Sequence, residues 1–297
     1  GWSWNYQVQF DPGNSAASAG GSNGQVDDSR LTISTDYGTL GIFVSEGGLD
    51  TDNAGSQSVY GRPTDIGLAS GMVDGPGIDG FNNLQYHTPA GILPYDMTAK
   101  VAYATGQNNG MNSSNAKGSG LENQYGNAAQ QFQITAAPID GLKLFADYYE
   151  EKGAYVHVIQ QYEAGSVAGT YSTGAFSFGL SRTLTAPLIQ AADAATNTIA
   201  NATAAGGNAG SARTYTATKG SVAFNVNDAL SVSFEREESE RKQYVRAAEY
   251  DITAQAVQAA YTMGGMTVAL SYGQTDNVGY ADGVDVEQTL LAVTMAF

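Results

Sequence analysis

Between Gly47 and Phe81 the chain gathers five aspartates, Asp50, Asp52, Asp65, Asp74 and Asp79, around a single base, Arg62. Carboxylates at this density could ligate a cation, trade protons as acid and base, or line a solvated surface. The spacing tests the first option. Asp50-Thr-Asp52-Asn-Ala-Gly55 opens as a calcium loop does, but Ala54 and Gly61 stand where oxygen donors are needed, so this is not an EF-hand. Gly75-Pro-Gly77-Ile-Asp-Gly80 matches the dinucleotide fingerprint, yet it neither follows a strand directly nor opens a helix, and Pro76 fits poorly there. His87 and His157 are too few for most metal clusters, and the absence of cysteine removes disulfides, thiolate catalysis and the commonest zinc sites. No strand-to-helix nucleophile elbow is expected around the serines. The expectation is a protein that is not an enzyme and needs no cofactor, with Ca²⁺ at the acidic outer loops as the one metal to consider.

The elements that position these charges repeat every two residues. Trp2, Trp4, Tyr6, Val8 and Phe10 alternate with Ser3, Asn5, Gln7 and Gln9. The same alternation returns in Leu230, Val232 and Phe234 against Ser231, Ser233 and Glu235, and in Met266, Val268, Leu270 and Tyr272 against Thr267, Ala269, Ser271 and Gly273. About fourteen such strands are read: 2–10, 30–36, 39–46, 82–88, 96–105, 127–137, 141–150, 156–173, 174–183, 213–226, 229–238, 250–263, 265–274 and 285–297. Their connections alternate between short turns (Asp36-Tyr-Gly-Thr39, Pro138-Ile-Asp-Gly141, Ser172-Thr-Gly174, Asn225-Val-Asn-Asp228, Met263-Gly-Gly265) and long polar stretches (11–29, 47–81, 106–126, 184–212, 239–249, 275–284). Segment 184–212 is Ala-, Asn- and Gly-rich and is left open between a short surface helix and disorder. A transmembrane β-barrel sorts its loops by length in this way, whereas two packed sheets need not. The apolar set carries aromatics near strand ends, as lipid-interface girdles do, and the other set is Ser, Thr, Gln, Asn, Gly and Ala, which suits water.

Composition agrees. Mean hydropathy of −0.23 over 297 residues looks soluble, but barrel strands need only every second residue to be apolar. No stretch has the roughly 18 apolar residues of a spanning helix. A formal charge of −16 and a pI near 4.2 argue against nucleic acid as a partner. Gly1 is followed at once by a strand pattern, as in an exported chain whose signal peptide has been removed.

The last strand, Val286-Glu-Gln-Thr-Leu-Leu-Ala-Val-Thr-Met-Ala-Phe297, places Leu291, Val293, Met295 and Phe297 on one face and resembles the insertion signal of Gram-negative outer-membrane barrels. Ser29-Arg-Leu-Thr-Ile-Ser-Thr-Asp-Tyr-Gly-Thr-Leu-Gly-Ile-Phe43 resembles the general bacterial porin hairpin that precedes the long third loop, and Asn82-Asn-Leu-Gln-Tyr-His-Thr-Pro89 resembles the strand after that loop. The Pro-Glu-Phe-Gly-like turn usual in the loop is absent.

The resemblance implies one all-β domain over residues 1–297, a transmembrane antiparallel β-barrel with about 14 strands visible and 16 in the complete protein, which places a missing hairpin at the N-terminus; a true fourteen-stranded barrel is the alternative. It also implies a homotrimer in the outer membrane of a Gram-negative bacterium, in contact with lipid and lipopolysaccharide and passing ions and small hydrophilic solutes. Loop 47–81 would fold inward and set Asp50, Asp52, Asp65, Asp74 and Asp79 towards a basic wall. Strand parity offers Arg30, Lys100, Lys143 and Lys219 for that wall, most clearly Lys143, with Arg62 of the loop counted among the bases. The net charge adds a modest cation preference. The alternatives are a substrate-specific channel and a structural or adhesive barrel; Phe43, Phe145 and Tyr149 face inward by parity but form no contiguous ladder. Glu237, Glu238 and Glu240, interleaved with Arg236, Arg241 and Lys242, read as a salt-bridged cluster in an outer loop, with lipopolysaccharide-bridging or Ca²⁺ contact as the second reading.

Overall fold

The computed structural model describes residues 1–11, 25–44, 46–66, 70–73, 75, 77–105, 128–152, 158–190, 212–244 and 249–295. Their strands are β1 (Ser3–Asp11), β2 (Gln25–Thr35), β3 (Gly38–Val44), β4 (Asn83–His87), β5 (Thr98–Thr105), β6 (Ala128–Ile139), β7 (Leu142–Lys152), β8 (Val158–Gln160), β9 (Glu163–Thr173), β10 (Phe176–Ala186), β11 (Ile189–Gln190), β12 (Ala212–Asn225), β13 (Leu230–Gln243), β14 (Ile252–Met263), β15 (Met266–Asp276) and β16 (Val286–Met295). Fourteen of them form one sheet in chain order, while β8 and β11 form a separate two-stranded ribbon. Among the described residues the helical pieces are 3-10 turns of three residues, and none is long and apolar enough to cross a membrane.

Short turns fix the register. Between β6 and β7, Gly141 takes φ +78°, and a Cβ there would lie 2.3 Å from the Ser172 carbonyl oxygen, so only glycine closes this turn. The turns between β2 and β3, β9 and β10, β12 and β13, and β14 and β15 also fall where the sequence marks them.

The chain divides into two compact units, one of Gly1–Asp50, Pro76–Ile134 and Asp147–Val156, the other of Thr51–Gly75, Thr135–Ala146 and His157–Phe297. In the first unit Trp4, Ile42, Leu84, Val101 and Phe132 stand exposed on one face, and Asn83, Gln85, Ala102, Gln131 and Tyr149 are buried on the other. In the second, Phe178, Leu180, Phe234, Val257, Leu270 and Leu291 are exposed, and Ser181, Thr183, Lys219, Ser233, Glu235, Gln258 and Ser271 are buried. Each unit thus inverts the water-soluble pattern. A contiguous apolar face suits lipid, because a sheet whose backbone groups are already paired can enter hydrocarbon without stranding donors.

Several boundaries differ from the sequence reading. β13 runs on to Gln243, so Glu237, Glu238, Glu240, Arg236, Arg241 and Lys242 belong to a strand and not to an outer loop. The ladder continues because a strand beyond the apolar belt can be polar on both faces: Glu237 and Arg241 turn to the buried side, while Arg236, Glu238, Glu240 and Lys242 stay more open. β2 begins at Gln25, and the strand read as 156–173 is confined to Glu163–Thr173, after the separate Val158–Gln160. Segment 184–212 opens with the end of β10 and with β11; its residues 191–211 lie outside the described set.

Candidate functional site

The second unit carries a strap laid across the polar face of its sheet. Starting at Thr51, its anchors follow strand order. The Thr51 and Ser166 hydroxyls pair at 2.9 Å on β9, and Ser181 on β10 donates to the Asp52 carbonyl at 2.8 Å. On β12, Lys219 donates to Asn53 Oδ1 at 3.0 Å, while Ser221 donates to the Gly55 carbonyl and accepts from the Gln57 amide, both at 2.9 Å. On β13, Ser233 accepts from the Val59 amide at 3.0 Å, and Glu235 Oε2 accepts from Ser56 and Ser58 at 2.5 and 2.6 Å. On β14, Gln258 accepts from the Tyr60 amide at 3.1 Å and donates to the Gly61 carbonyl at 2.6 Å. Five adjacent strands therefore hold the strap with polar side chains, β10, β12, β13 and β14 through its backbone groups and β9 through the Thr51 hydroxyl. Its close approach needs two glycines, since a Cβ on Gly179 would fall 1.6 Å from the Gly55 carbonyl oxygen and one on Gly55 would fall 2.6 Å from that of Leu180.

Charge locks the strap. Lys219, almost fully buried, lies 3.5 Å from Asp52 and 3.9 Å from Glu237. Arg62, also buried, forks onto Asp65 at 2.6 and 2.7 Å and reaches Glu237 at 3.8 Å. Glu237 further accepts from the Thr64 hydroxyl at 3.0 Å. Beyond, Met72 and Val73 pack on Tyr215, Ile252 and Tyr280, the Gly279 amide donates to the Ser70 carbonyl at 2.9 Å, and Arg241 stacks over Tyr280 at 4.7 Å.

In the first unit the root of the same loop is apolar: Leu49, Ile78 and Phe81 are buried with Ala102, Ala104, Ala129 and Tyr149. Gln131 donates to Asp50 at 3.1 Å and accepts from the Ile78 amide at 2.8 Å, and Gln133 donates to the Leu49 carbonyl at 2.8 Å. Arg30 pairs with Glu46 at 2.7 Å and donates to Gln7 at 2.6 Å.

Of the residues singled out in the sequence, Asp52 and Lys219 meet directly, as do Arg62 and Asp65. Arg62 belongs to the strap and reaches Glu237 of β13 at 3.8 Å. Arg30 engages Glu46 and Gln7. Lys100 stands on the polar face opposite His87, and Lys143 is exposed on the face opposite Leu144. Asp50 is exposed beside Gln131, and Asp79 lies near Gly77. Leu291, Val293 and Met295 are exposed on the apolar face. Asp74 and Phe297 lie outside the described residues. Sequence reasoning missed Glu235 and Glu237 as anchors, although the period of two, continued from Ser231 and Ser233, places both on the polar face. It also missed Tyr280, for which no sequence signal exists.

At the end of β13, one carboxylate oxygen from each of Glu238, Glu240 and Asp251 lies within 4.8 Å of the others. Lys242 meets Glu240 at 3.5 Å, and Arg236 meets Glu238 at 3.3 Å. Burial first, and repulsion from Glu240 next, raise the Asp251 carboxyl above its ordinary value, with Lys242 opposing. A raised carboxyl favours the folded state once protonated, and this gain is lost as pH rises through the raised value. Asp251→Asn is therefore expected to lift the thermal midpoint at pH 7 by roughly a degree or two, the difference closing as pH falls through the Asp251 titration, measured by differential scanning calorimetry.

No protein-family model and no curated protein matches the sequence. Solved structures do match its fold. An anion-selective porin from Comamonas acidovorans superposes with TM-score 0.59 at 12% identity, covering 99% of this chain and 83% of that one. Salmonella typhi OmpF, in a complex with daunomycin, gives 0.58 at 10% identity over 91% and 78%. The outer-membrane expressed OmpT of Vibrio cholerae gives 0.57 at 13% identity over 95% and 80%. With its fourteen-stranded antiparallel sheet, apolar on one face and polar on the other, the chain has the fold of the Gram-negative outer-membrane porins, an all-β transmembrane barrel.

Proposed function

We propose that this chain is a general diffusion porin, a water-filled channel for ions and small hydrophilic solutes in the outer membrane of a Gram-negative bacterium, working as a homotrimer among lipid and lipopolysaccharide. One observation carries the reading. The long strap is held on the polar face by side chains of five strands while the opposite face stays apolar and open, an arrangement that narrows an aqueous path rather than filling a core. The same observation favours a passage over a plugged structural barrel, because Ser166, Ser181, Ser221 and Ser233 under the strap are short. The reading assigns no catalytic role and requires no resident cofactor.

Charge supports a mild cation preference. Around the strap, Asp52, Asp65, Glu235 and Glu237 stand with Lys219 and Arg62, and the chain as a whole carries −16. Lys100 and Lys143 are polar-face bases that offer some opposing field in their own units. The anion selectivity named for the Comamonas porin belongs to that protein; on a shared fold the sign of the filter follows the local charges. Liposome swelling with sugars of graded size should give a smooth size cut-off without saturation, and planar-bilayer reversal potentials in a KCl gradient should favour K⁺ by a factor of a few. Saturable flux of one sugar would move the assignment to a substrate-specific channel, and clear anion preference would overturn the charge argument.

A further inference from the structure

On the apolar face of the second unit, a depression of about 410 Å³ is lined by Leu144, Val167, Gly169, Leu180, Arg182 and Thr218, with Ala168 and Ser181 at its floor. Gly169 keeps it open, since a Cβ there would come within 3.3 Å of Leu144. Arg182 sits in this apolar setting. Its partners across the ladder are Val167 and Thr218, and the next residues on its own face of β10 are the exposed Leu180 and Leu184. Among the described residues no carboxylate pairs with Arg182, whereas Arg236 on the same face of β13 is matched by Glu238.

A guanidinium does not give up its proton, so a lipid-facing arginine needs an anion brought to it. Phosphate suits it, because the planar fork offers two parallel donors to two phosphate oxygens. We propose that this groove binds one anionic glycerophospholipid, its phosphate on Arg182 and one acyl chain along Leu180, Val167 and Leu144. The proposal rests on the membrane reading above and adds to it a defined lipid site. Free phosphate lacks the chain that fills the groove, and a neutral lipid lacks the charge that answers Arg182.

The test is native mass spectrometry of the whole protein in detergent, titrated with phosphatidylglycerol, with diacylglycerol and with inorganic phosphate, alongside swelling assays on the same preparations. Wild type should retain one phosphatidylglycerol per chain, hold no diacylglycerol, and keep its lipid against equimolar inorganic phosphate. Arg182→Gln should weaken retention by at least about tenfold while channels still form, and Arg236→Gln should leave it unchanged. Equal retention by Arg182→Gln, or diacylglycerol held as well as phosphatidylglycerol, overturns the site. So does an Arg182→Gln protein that falls from oligomer to monomer without lipid, which would give this face to a second copy of the chain. Failure of wild type to form channels would instead strike the membrane reading itself.

Discussion

Glu237→Ala is expected to enlarge the solute limit of the channel. The substitution leaves Lys219 and Arg62 buried with one acid fewer and removes the acceptor of Thr64. Breaking a buried ion pair by deleting one partner costs about 3–5 kcal/mol, whereas each neutral hydrogen bond elsewhere along the strap contributes about 1 kcal/mol. The Arg62–Thr64 stretch should therefore lift from β13 while the Thr51–Gly55 stretch stays pinned to β9, β10 and β12. Swelling assays should show faster entry of sugars that wild type excludes, with a larger single-channel step in bilayers. Glu237→Gln, which keeps an acceptor for Thr64 but loses the charge, should fall between the two. Unchanged cut-off and unchanged conductance in both variants would mean that the strap does not set the passage.

A second large effect separates two residues three positions apart on β15. Leu270→Arg places a charge in the middle of the apolar face, between Ala259 and Leu291 on the neighbouring strands, where a barrel loses about 2–4 kcal/mol at the bilayer midplane. Thr267→Arg places the same charge on the opposite face, beside Thr262 and Thr294. Urea unfolding from lipid vesicles should show Leu270→Arg strongly destabilised and Thr267→Arg within about 0.5 kcal/mol of wild type. A reversed order would place the hydrocarbon on the wrong side of the sheet.

Much of this fold is legible in the sequence because two constraints are local. Side chains alternate with the pleat, so Leu230, Val232 and Phe234 announce their face without any knowledge of neighbours. Turn residues such as Gly141 and Gly264 must accept positive φ and mark the strand ends. The period of two also extends through Glu235 and Glu237, but charged residues on both faces of β13 read as a solvated loop once the apolar partners stop at Phe234. The strap was harder to anticipate. That Lys219 points to the polar face follows from parity, but that it meets Asp52 depends on where a chain segment far away in sequence is laid down. Arg62 shows the same limit, since its place in the loop is read from the sequence but its meeting with Glu237 is not. Tyr280 lies in a connection whose path no periodicity describes, and its packing on Met72 and Val73 is a property of the assembled unit alone.

The separation along the chain between the strap and its anchors bears on how the molecule is put together. Thr51 is 115 positions from Ser166, and Tyr60 is 198 positions from Gln258. Such remote partners cannot meet until β9, β10, β12, β13 and β14 stand side by side, because closing so long a stretch of chain gains nothing before the far strands exist. Hairpins joined by tight turns are therefore expected to assemble first and the strap to settle last. On the porin reading proposed above, the newly inserted protein is expected to pass through a wide-bore stage, with the seating of Thr51 to Thr64 as the maturation step that turns a leak into a sieve.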